Sequence, residues 1–123
     1  MKTALLLLFL LQLAASAVVN AGPSRVWKLW EGKPPGEFAV PGPETTTEPK
    51  PTDKLPILRI TNIAEPRLEF YEPAAEKKNG VAVVIVPGGG FGILASGHEG
   101  SELAVWFRER GFVAAVRRGA PLD

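Results

Sequence analysis

Three consecutive glycines, Gly88-Gly89-Gly90, follow directly on an apolar run that closes with Val86 and Pro87. Glycine loses more chain entropy on ordering than any other residue, so three in a row at the end of a strand call for a physical reason. One reason is chemical. A loop of this kind turns sharply and can aim backbone N–H groups into open space, where they hold an anion or a developing oxyanion. The other is geometric, a tight turn with close backbone contact. The residues by themselves leave both open.

Other site types meet the same segment. The phosphate loop G-x-x-x-x-G-K-[ST] is nearly satisfied from Gly92 to Gly97, but His98 and Glu99 occupy the Lys and Ser/Thr positions. Without the Lys there is no phosphate clamp, and that reading is excluded. The dinucleotide pattern G-x-G-x-x-[GA] is met by Gly90-Phe91-Gly92-Ile93-Leu94-Ala95, with Arg117 and Arg118 at the end of the next strand, where a 2′-phosphate could bind. That arrangement needs a helix to open within the glycines. Here Gly97 and Gly100 follow, and the helical pattern starts later.

Nucleophile and base are harder to find. Ser96 has Leu94 and His98 at its flanking positions, and Ser101 has Glu99 and Leu103, so neither sits in a G-x-S-x-G elbow. His98 is the one imidazole of the chain. It lies in a Ser96-Gly97-His98-Glu99 stretch of capping-box form, which points to bracing near a helix start. There is no Cys, which rules out disulfides, thiolate metal sites and a cysteine nucleophile. A single His rules out a His-rich metal cage. Nothing in the residues asks for a metal or a cofactor.

The elements that would position the glycines are legible around them. Residues 81–86 are six consecutive apolar residues, mostly β-branched, the pattern of a strand buried on both faces. A helix is expected over residues 100–110, with Leu103, Trp106 and Phe107 on its apolar stripe and Gly111 as its C-terminal glycine. Residues 112–116 form another apolar β run. Strand, glycine loop, helix and strand make a βαβ crossover, so the two strands are expected to be parallel and the crossover right-handed. Two shorter strands lead in, at 57–63 and 67–72, the second alternating Leu68 and Phe70 against Glu69 and Tyr71. The expected fold class is α/β. One such unit cannot cover both faces of residues 81–86, so the fold is expected to be incomplete.

Three segments precede or make up that unit. Residues 1–21 join Lys2, an apolar run over 4–15 and the small-x-small sequence Ala15-Ser16-Ala17, with Val19-Asn20-Ala21 as a second possible cleavage site. They read as a signal peptide, too short for a spanning helix, and imply a secreted or periplasmic protein with no membrane contact after cleavage. Residues 22–56 hold Trp27 and Trp30, then seven prolines between Pro34 and Pro56, an extended linker or surface loop. The two tryptophans are expected to dock on the domain rather than form a sugar-stacking platform. Residues 57–123 are the domain. Of 14 basic and 13 acidic side chains only Lys2 lies in the leader, so the remainder is neutral and gives no case for nucleic acid as a partner.

Several of these motifs together resemble secreted bacterial esterases of the α/β-hydrolase fold, in the acetyl-xylan-esterase-like or xylanase-associated branch. The similarity runs through Trp30 to Gly36, Arg59-Ile60-Thr61-Asn62, Pro87-Gly88-Gly89-Gly90-Phe91, and His98-Glu99-Gly100 followed by a helix with Trp106. The loop resembles the HGGG-type loop of lipases and esterases, with Pro87 in place of the His. The resemblance implies the N-terminal portion of an α/β-hydrolase fold. It implies hydrolysis of a carboxylic ester by serine acyl transfer, with an acetylated polysaccharide as substrate. It assigns the backbone N–H groups of Gly89 and Gly90 to the oxyanion hole. In the family the last strand continues into a basic-aromatic segment with Tyr, where this chain reads Arg117-Arg118-Gly119-Ala120-Pro121. The family order Ser, Asp or Glu, His leaves only Asp123 late enough in this chain, so nucleophile, acid and base are expected outside it. A dinucleotide-binding βαβ unit at Gly90-Phe91-Gly92-Ile93-Leu94-Ala95 and a non-catalytic exported fragment are the alternatives.

Overall fold

A computed structural model describes residues 22–32, 42–90 and 92–119. Residues 1–21, where a leader and two cleavage sites are expected, part of the proline-rich segment, Phe91 and Asp123 lie outside the described residues. The rest is a mixed α/β fold with two sheets and one α-helix.

The larger sheet has four strands in the order β1 (Arg25–Lys28), β4 (Arg67–Tyr71), β7 (Val113–Arg118), β5 (Ala82–Ile85). β5 and β7 are parallel, with Ala82 opposite Val113 and Ile85 opposite Val116. The helix α1 (Glu102–Glu109) lies between them in sequence. The crossover expected from the apolar runs is therefore present. β4 pairs antiparallel with β7 and with β1. The smaller sheet is antiparallel, β2 (Thr45–Thr47), β3 (Arg59–Thr61), β6 (Leu94–Ala95). Thr45–Thr47 is thus a paired strand inside the proline-rich stretch, which is not linker throughout.

Local chemistry fixes the ends of the crossover. The Asn79 N–H donates to the Gly111 carbonyl at 2.9 Å, its side-chain amide donates to the Arg110 carbonyl at 3.2 Å, and its Oδ1 accepts from the Val81 N–H at 2.9 Å. One asparagine so ties the start of β5 to the end of α1. Gly111 has a φ of +87°, and a Cβ there would overlap the Lys77 carbonyl. The expected C-terminal glycine is where a side chain has no room.

Burial departs from the sequence pattern in three places. Only Ile85 of the 81–86 run is buried; Val84 is 68 % exposed and Val86 62 %. β5 is the last strand of its sheet, and α1 covers only the face carrying Val83 and Ile85. The helix begins later than residue 100. A single wide π-helical turn, Gly97–Ser101, precedes it. Its buried contacts are Ala104 and, in part, Val105 and Phe107, while Leu103 and Trp106 are exposed. Small residues let α1 approach closely: Ala104 is fully buried, and a Cβ at Gly100 would touch Pro87 and Val116. The third departure is on β4, where Glu69 and Tyr71 are buried and Leu68 and Phe70 are half-buried. The core on the helix side joins Tyr71, Ile85, Ala104, Ala114 and Val116.

Candidate functional site

β5 leads through the buried Pro87 into the glycine loop, at the C-terminal end of a parallel strand. The Gly88 carbonyl accepts the Ala95 N–H at 2.9 Å, and the Gly89 carbonyl accepts the N–H groups of Gly92 at 3.3 Å and Ile93 at 3.2 Å. The chain thus folds back on the loop and enters β6. A Cβ on Gly89 would collide with the Ile93 carbonyl, so only glycine fits. Gly90 has a φ of +60°, a left-handed conformation, with open space where its Cβ would be. Glycine is needed at 89 for space and favoured at 90 for conformation.

The N–H groups of these glycines have different fates. The Gly88 N–H donates to Glu99 Oε2 at 2.7 Å. The Gly89 and Gly90 N–H groups meet no acceptor among the described residues. Two unsatisfied backbone donors in succession at a strand end can receive a carbonyl oxygen on which negative charge develops.

The π-helical turn supports the loop. Its Glu99 takes the Gly88 N–H, its Gly100 lets Pro87 pack, and His98 Nε2 lies 3.4 Å from Glu99 Oε1. π-turns recur at functional sites because they re-aim the side chains they carry. The bracing expected of His98 falls chiefly to Glu99, the residue beside it.

Neither serine is arranged as a nucleophile. Ser96 is 1 % exposed; its N–H donates to the Leu58 carbonyl at 2.8 Å, and its Oγ accepts a hydrogen bond from Arg118. Ser101 donates its N–H and its hydroxyl to the Ser96 carbonyl, at 3.0 and 3.3 Å. No hydrogen bond joins His98 to either serine among the described residues.

The dinucleotide pattern is not matched by its geometry. Leu94 and Ala95 pair with β3, and the helical turns begin only at Gly97, so the helix does not open within the glycines as that motif requires. Arg118 is 6 % exposed and engaged with Glu69, away from any 2′-phosphate.

Sequence reading did not find the charged cluster between the two sheets. Glu69, 8 % exposed, accepts from Arg118 Nε on Oε2 at 2.9 Å and from Arg67 Nε on Oε1 at 3.3 Å. Arg67 turns its other two nitrogens to Glu44 at 2.9 and 2.8 Å. The bond to Arg67 holds the Glu44 carboxyl below its ordinary range, and the same bond holds the Arg67 guanidinium more firmly protonated. Burial, and then the Glu69 charge, push the Tyr71 phenol up. The available signal was the period-2 spacing of Arg67, Glu69 and Tyr71 and the Arg pair after an apolar strand. Arg118, in the segment that departs from the esterase pattern, belongs to β7 and is built into this cluster.

No protein-family model matches the chain. No curated protein matches it, and no solved structure does.

Proposed function

We propose that the chain is the N-terminal part of an exported serine carboxylesterase of the α/β-hydrolase type, acting on an acetylated polysaccharide. The observation that supports this most is the pair of N–H groups at Gly89 and Gly90 that meet no acceptor among the described residues, at the C-terminal end of a strand in a parallel βαβ unit. In such an enzyme a serine oxygen adds to the ester carbonyl, and the oxygen of the tetrahedral intermediate becomes anionic. The two N–H groups would receive it, each donor being worth roughly 3 kcal/mol of transition-state stabilisation. Collapse of the intermediate expels the alcohol, and water then releases the acid from the acyl-serine. Glu99 would keep the loop in its receiving shape. The nucleophile, its base and the acid would come from sequence beyond these residues, because no serine here sits in an elbow and, among the described residues, none has an imidazole partner.

The coding DNA tests the reading. A downstream frame that carries G-x-S-x-G, joined in frame after the last strand, is expected to give a protein that hydrolyses p-nitrophenyl acetate. Absence of such a sequence in all three frames, or a joined protein without turnover, counts against the esterase.

A further inference from the structure

β5 is the last strand of its sheet, and among the described residues nothing pairs with its outer edge. Which backbone groups that edge presents follows from the pairing on its inner side. The Val81 carbonyl accepts the Val113 N–H at 3.0 Å, with Ala82 opposite Val113. Backbone groups alternate sides residue by residue along a strand. Val81, Val83 and Ile85 therefore face β7, while Ala82, Val84 and Val86 turn their N–H and C=O groups outward. Pro87, which has no N–H, falls in the inward set and interrupts nothing on the outer edge.

The side chains follow the same period. Val83 and Ile85 pack on the α1 side, so Ala82, Val84 and Val86 share the other face, and all three are exposed. Natural edge strands are commonly blunted by Lys, by Pro or by a bulge. The run from Val81 to Val86 holds no charged residue and no proline.

One partner matches this edge residue by residue, a second copy of it. Set antiparallel about a two-fold axis at Val84, the outward residues meet as Val84 with the partner's Val84 and Ala82 with the partner's Val86. Each is a hydrogen-bonded pair, in which the two residues exchange both N–H···O bonds. A shift of one residue would turn the valines of the two copies to opposite faces. A shift of two would set Val86 against Gly80, which stands at a φ of +81° ahead of the strand. The antiparallel order also brings Lys77 and Lys78, just ahead of one strand, toward the end of the other, where Glu99 holds the Gly88 N–H. The charges flanking the two apolar runs are thus opposite.

We infer that the chain forms a two-fold symmetric dimer through β5, its four-stranded sheet continuing across the axis into the sheet of the second copy. The contact covers Val84 and Val86 on the face that α1 leaves open. The inference does not rest on the esterase reading, and its test involves no turnover.

Sedimentation velocity of the purified chain over a range of concentrations tests it. A reversible dimer is expected. Like charges directly opposite each other destabilise a strand pair. Val84→Lys and Val84→Glu each bring two like charges to the axis, so each is expected to weaken dimerisation tenfold or more. Both change an exposed side chain, so each variant is expected to keep the circular dichroism of the parent. Mixed in equal amounts, the two variants are expected to dimerise again, because the axis then joins opposite charges. A parent chain that stays monomeric at every concentration overturns the inference; a strand from outside the described residues taking the edge would give that result. A dimer that survives both substitutions overturns it as well, and so does a mixture of the variants that stays monomeric.

Discussion

Glu69 and Arg118, 49 residues apart, meet in a buried ion pair with Arg118 Nε 2.9 Å from Glu69 Oε2. The pair lies on the helix-side face of the larger sheet, and Arg118 extends it to Ser96, just after β6 of the smaller sheet. It is a latch between the two sheets.

Removing one member of a buried pair strands the other charge and costs about 3–5 kcal/mol. Glu69→Ala is expected to lower stability by about that amount in urea unfolding. Replacing both, Glu69→Leu with Arg118→Met, is expected to recover much of the loss, since apolar replacements leave no stranded charge. A double variant as unstable as the worse single one would show that the latch contributes more than charge matching.

The glycine loop makes a sharper contrast. In Gly89→Ala the new methyl meets the Ile93 carbonyl, a backbone atom that cannot step aside, and a loss of about 3 kcal/mol is expected. In Gly90→Ala the methyl enters open space and only the left-handed conformation is penalised, by about 1–2 kcal/mol. Denaturation midpoints of the two variants side by side check the order. Equal losses would mean that the loop relaxes freely, and a loop that relaxes freely is a poor oxyanion receptor.

Tyr71 is the one tyrosine of the chain, so its ionisation can be read directly from tyrosinate absorbance. Its phenol is pushed up in the fold, so the neutral form is the one the fold favours. That contribution is complete below the unfolded value of about 10 and is lost as the pH rises through the higher folded value. Native chain is expected to ionise at higher pH than the same chain in urea, with unfolding accompanying the step. Tyr71→Phe is expected to remove this alkaline sensitivity. Coincident native and urea titrations would contradict the buried setting of Tyr71.

The 123-residue chain by itself is expected not to hydrolyse p-nitrophenyl acetate above background. Ser96 is closed off by Arg118, and Ser101 donates its hydroxyl to a carbonyl. Turnover that survives purification and disappears in Ser96→Ala or Ser101→Ala would place a nucleophile where the geometry places a structural hydroxyl.

The sequence by itself determined the local units. The apolar run before Gly88, the glycine after the helix and the β run from Phe112 specified a strand–loop–helix–strand crossover, because each depends on neighbours a few residues away. The three glycines marked the loop, although which N–H groups stay without an acceptor depends on Glu99, brought to Gly88 by the π-helical turn. Periodicity tells which residues share a face and is silent about what lies opposite. That is why Leu103 and Trp106 read as core while close approach of α1 through Ala104 leaves them exposed. It is also why residues 81–86 read as buried on both faces while β5 has the helix on one face only. The partners of Glu69 and Trp27 were beyond any local rule, since Arg118 and Phe70 reach them only through the order of strands in the sheet.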